Sequence, residues 1–246
     1  MTVSPQGRGS APDPLGALPA NLQGAVRPYV AHMQQIAGRR ALSLSLLGAA
    51  AAGTWIPGRH LAHNALVLES IDLELLRQLS QQLPHFHGIA PPLVFTPAYI
   101  RDSIDTFPLE FLEIQQQHLT VFGDDCFQPL VFEAKYIRLQ CERELKSMVL
   151  AMRQAVLLSA GDQQRLLAHH PYAADGLLRV LRGLLWLKDV REPLPATRVV
   201  DEVERILARP LKGLRTLLQV HAPPSWDDYC ALHAELEALE SAADAS

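Results

Sequence analysis

Residues 41–68 read ALSLSLLGAAAAGTWIPGRHLAHNALVL. The first seven, 41–47, alternate leucine with small residues and carry no charge, as a short buried strand does. Gly48 interrupts that run. Four alanines follow and favour a turn of helix, and then Gly53 and the Pro57-Gly58-Arg59 stretch punctuate the chain. A second apolar run, Ala65 to Leu68, predicts another strand. The stretch as a whole therefore reads as strand, glycine-led turn, strand, the kernel of a small sheet.

Working outward, helices are expected on both sides of this kernel. Residues 18–38 place Leu22, Val26, Val30, Met33 and Ile36 at spacings of three and four, an amphipathic pattern with Pro28 near its middle as a kink or break. Residues 72–83 put Leu73, Leu76, Leu79 and Leu83 on one stripe, with Asp72 as a cap or first-turn acid and Pro84 as a stop. PPLVFT, residues 91–96, predicts a third strand. Pro97 suits the first position of a helix reaching about residue 105, and residues 107–114 are expected to form a fourth strand. From about residue 129 the pattern becomes wholly helical. Residues 132–160 carry Ile137, Cys141, Leu145, Val149 and Val156 on one face, and shorter helices are expected at 162–170, 174–188, 196–208, 210–220 and 225–241. The predicted class is α+β: a small mixed sheet covered by helices over residues 18–128, then a helical bundle over 129–241. Residues 1–17 and 242–246 are expected as tails.

Composition bounds what such a chain does. Its 246 residues are 48% apolar and 20% charged, the balance of an ordinary globular protein. A formal net charge of −4 supplies no global basic field, which argues against nucleic acid or anionic lipid as a general partner. The three cysteines, Cys126, Cys141 and Cys230, form no C-x-x-C pair and are odd in number, so a reducing cytoplasm fits better than a disulfide framework. The N-terminal stretch has no apolar core of a signal peptide. Residues 41–58 are uncharged, but Ser43, Ser45, Gly48, Gly53, Thr54 and Pro57 make them a poor membrane helix, and no membrane partner is expected.

The kernel resembles the active-site signature of the polymerase-beta-like nucleotidyltransferases: a hydrophobic residue and glycine, then glycine or serine, then a spacer that ends in Asp-x-Asp or Asp-x-Glu. Gly48 falls on the glycine, Ala49 on the glycine or serine, and Ala50 to His60 fill the spacer. Leu61-Ala62-His63 stand where the acidic triplet belongs. The resemblance implies a nucleotidyltransferase-like fold with a degenerate active site. It also implies a nucleotide-binding role for Gly48, Ala49 and Arg59, since a glycine turn lets backbone N–H groups approach phosphate.

Active members of that superfamily use two Mg²⁺ ions, held by three carboxylates, to transfer a nucleotide from an NTP. Leu61 offers no ligand, and the imidazole of His63 suits softer metals than magnesium. Glu110 and Glu113 are the candidate residual acids, and a solvated role for them is the plainer reading. No metal and no catalytic residue is therefore expected. The leading reading is a nucleotidyltransferase-like pseudoenzyme that binds a nucleotide, a protein, or both. Two others stay open. One is a divergent active enzyme that uses Mg²⁺, an NTP and relocated carboxylates among Glu110, Glu113, Asp102 and Asp105. The other is a scaffold that binds a partner or itself through the C-terminal helices.

Other motifs add little. Phe122-Gly123-Asp124-Asp125 is expected as a polar turn. The pairs His60 and His63, His85 and His87, and His169 and His170 lack the four convergent ligands of a structural metal site and are expected as loop or surface histidines.

Overall fold

A computed structural model describes residues 14–167, 174–218 and 225–244. Its contacts divide the chain into two units, one of residues Met1–Arg101 with Gln117–Pro129 and one of Asp102–Gln116 with Leu130–Ser246. Together they make an α+β protein, a mixed sheet with helices followed by a set of C-terminal helices.

The first unit holds four strands: β1 (Ala41–Leu47), β2 (Asn64–Leu68), β3 (Leu93–Phe95) and β4 (His118–Gly123), in the order β3-β2-β1-β4. β1 is antiparallel to both neighbours, with Ser45 opposite Ala65 on β2 and opposite Thr120 on β4. β2 and β3 run parallel, joined through helix α2 (Leu73–Gln82). Strand alternation explains the sequence of β1. Leu44 and Leu46 point into the core built with helix α1 (Ala20–Ala37), whereas Ser43 and Ser45 lie on the opposite face, also buried. Leu66 and Leu68 of β2 join the α1 side.

α1 runs unbroken through Pro28, because Val26, Tyr29, Val30 and Met33 are buried on either side of it. Asp72 caps α2 as its sequence position suggests, with its carboxylate accepting from the Leu75 N–H at 2.7 Å. The expected N-terminal tail falls outside the described residues up to residue 13. Its last residues, Pro14–Ala17, form a single 3₁₀ turn with Leu15 buried in the core.

The expectation of a fourth strand at residues 107–114 is wrong. Pro108–Gln116 is helix α4, preceded by the short helix α3 (Pro97–Ser103), and the fourth strand is β4. The physical reason lies in helical spacing. Leu109 and Leu112, three apart, share one face and pack into the second unit's core, and the Leu109 N–H at the helix start is met by Gln140 Oε1 at 2.9 Å.

The second unit is all helical: α4, then α5 (Ala134–Ser159), α6 (Gln163–Leu167), α7 (Ala174–Leu187), α8 (Ala196–Leu207), α9 (Lys212–Leu218) and α10 (Trp226–Asp244). Its core takes Ile137, Cys141 and Leu145 from α5, Leu181 from α7, Val199 and Val203 from α8, and Leu236 from α10. α9 is seated by a buried carboxylate, Glu235 on α10, which accepts from the Gly213 and Leu214 N–H groups at 2.9 Å each. Among the described residues, no helix is long and apolar enough to cross a membrane, and all three cysteines are free.

Candidate functional site

β1 hands the chain to Gly48, whose φ of +55° is a conformation that side-chain-bearing residues adopt only at a cost. Space does not require a glycine there, since a Cβ would meet nothing within 4 Å. The backbone does. Gly48 donates its N–H to Gln117 O at 2.9 Å, and its own carbonyl accepts from Ala52 N at 2.9 Å, closing the alanine turn. Thr54 N then reaches Ala49 O at 3.0 Å. A further turn closes from Arg59 N to Ile56 O at 3.2 Å around Pro57-Gly58, and the Ile56 N–H is met by His60 Nδ1 at 3.3 Å. This compact loop returns the chain to β2. The Gly48 N–H is thus occupied within the fold, Ala49 is half-buried, and Arg59 is exposed.

Leu61 and His63 occupy the residues just before β2. Between them Ala62 is fully buried in the core and bridged to Ile89, while its two neighbours are exposed, Leu61 to 51%. Extended backbone sends alternate side chains to opposite faces. Leu61 and His63 therefore share the face that continues through Ala65 and Val67, opposite the α1 core. The His63 carbonyl accepts from Leu47 N at 2.9 Å, and Leu47 stands opposite His118 in the β1–β4 register, so these three residues form one cross-strand row beside the Gly48 turn. The row contains two imidazoles, one leucine and no carboxylate. Magnesium needs hard oxygen ligands in octahedral array, and the donors at 61 and 63 do not fit it. Among the described residues no group of three or more His, Cys, Asp or Glu is disposed to hold a metal ion.

Asn64, next to His63, is buried and fully used. Its Oδ1 accepts from the Tyr29 hydroxyl at 2.8 Å, and its Nδ2 donates to Ala90 O at 2.8 Å. The strand end that carries Leu61 and His63 is fixed by these contacts to α1 and to the segment before β3. Burial raises the Tyr29 hydroxyl well above its ordinary value, against the bond to Asn64, so it stays a donor.

Glu110 and Glu113 lie three residues apart on α4, inside the second unit. Glu110 accepts from Arg179 at 3.0 Å and from Gln140 Nε2 at 2.9 Å, and Glu113 accepts from Arg179 Nε at 2.9 Å and Arg182 at 3.4 Å. Burial opposes the charge of Arg179, and the two carboxylates outweigh it, raising the guanidinium further. Asp102 and Asp105 are both exposed.

No local signal in the sequence marks the pairing of His118 with Asp125. His118 Nε2 lies 2.9 Å from Asp125 Oδ1, with the imidazole side chain only 4% exposed and edge-on to the Phe127 ring at 5.6 Å. Asp125 Oδ1 also accepts from Phe127 N and Gln128 N at 3.0 Å each. Burial alone would raise the Asp125 carboxyl, but the bonds from Gln128, His118 and Phe127 hold it below the usual carboxylate range. The polar turn expected at Phe122–Asp125 is not there as such: Phe122 and Gly123 are the last residues of β4, and the chain leaves the sheet at Asp124–Asp125, where the Asp125 carboxylate anchors it. His85 and His87 flank a half-buried Phe86 just after α2. His169 and His170 lie outside the described residues.

No family model matches this chain, and no curated protein sequence matches it. Among solved structures the chain is similar to the crystal structure of spectinomycin adenyltransferase AAD(9) from Enterococcus faecialis with ATP and spectinomycin. The two are 9% identical, with a TM-score of 0.55 over 90% of this chain and 98% of that one. At that identity the likeness concerns the fold, which is nucleotidyltransferase-like.

Proposed function

We propose that this protein is a nucleotidyltransferase-fold pseudoenzyme that acts by binding, with a nucleotide, a protein, or both as ligand, and not by two-metal nucleotidyl transfer. One observation carries the reading: the exposed pair just before β2, beside the glycine turn, is Leu61 and His63. A leucine and an imidazole at those positions leave magnesium without its hard ligands. The engagement of Glu110 and Glu113 by Arg179 supports the same reading, since carboxylates so paired are poor candidates for relocated metal ligands. A role for Gly48, Ala49 and Arg59 in holding a nucleotide belongs to this proposal. So does the division of labour between a nucleotide-handling part, residues 18–128, and a helical part, residues 129–241, that offers a protein-binding surface.

The structural neighbour was crystallised with ATP and spectinomycin, so those two compounds are the natural probes. The protein is incubated with α-labelled ATP, Mg²⁺ or Mn²⁺, and spectinomycin among other hydroxyl acceptors, and titrated in parallel with ATP by calorimetry with and without metal. No acceptor becomes labelled, and any ATP binding is indifferent to the metal. Labelling of an acceptor above the no-protein background overturns the proposal.

A further inference from the structure

We draw no further inference here: the strongest candidate, the exposed apolar side chains of Ile56, Leu61 and Leu93 around the start of β2 and edge strand β3, carries nothing because nothing among the described residues shows what covers it.

Discussion

Tyr29, midway along α1, donates its hydroxyl to Asn64 Oδ1 at 2.8 Å, and both side chains are buried. Asn64 directly follows His63, so a helix 35 residues earlier in the chain helps to hold the strand end on which the candidate site is built.

Removing that hydroxyl tests how much the strand end depends on it. Tyr29→Phe leaves the ring in the core but strands a buried Asn64 carbonyl oxygen, a loss of about 1–3 kcal/mol. Thermal denaturation is expected to show a Tm several degrees lower. An unchanged Tm contradicts the anchoring role.

The two glycines that bound β1 and β4 separate conformational need from steric need. Gly48→Ala meets open space and suffers only its positive φ, costing about 1–2 kcal/mol. Gly123→Ala combines a φ of +74° with a Cβ 1.8 Å from Leu42 O, where β4 pairs with β1. Circular dichroism melts are expected to show a folded, mildly destabilised Gly48 variant and a Gly123 variant that loses the sheet's cooperative transition. Equal effects in the two variants contradict the geometry.

The sheet kernel was the legible part of this chain. Its continuous apolar run, the glycine after it and the Pro57-Gly58 turn are local signals, and they read the same in three dimensions. Asp72 as a cap is local too. Residues 108–116 misled because Leu109 and Phe111 mimic strand alternation, although Glu110 and Glu113, three apart, carried the helical period. Contacts far along the chain settle the matter, with Gln140 meeting the helix start and Arg179 gripping both glutamates. His118 and Asp125 were invisible for a similar reason. Their meeting depends on where the bend after Gly123 carries Asp125, which a local turn signal does not encode.

Glu235 makes stability in the second unit pH-dependent in an unusual direction. Burial raises its carboxyl above the ordinary value, and the opposing N–H bonds from Gly213 and Leu214 do not restore it. A carboxyl raised on folding stabilises fully below its unfolded value, and that contribution is lost as pH rises through the folded value. Glu235→Gln removes the titration and turns one acceptor away from a buried N–H, costing about 1–3 kcal/mol. The Tm advantage of wild type over Glu235→Gln is expected to widen as the pH is lowered from 7 through the acid range. A gap that narrows instead contradicts the sign.

We propose that residues 61 and 63 stand where a metal-gripping pair of acids would, with a leucine and a histidine in their places. Electron paramagnetic resonance of Mn²⁺, titrated into the wild type and into the double variant Leu61→Asp/His63→Asp, tests it most directly. The wild type is expected to leave Mn²⁺ free, and the variant to bind about one ion with an affinity on the order of millimolar, as two carboxylates without a third allow. Stoichiometric Mn²⁺ binding by the wild type, or a folded double variant that binds none, would contradict the account.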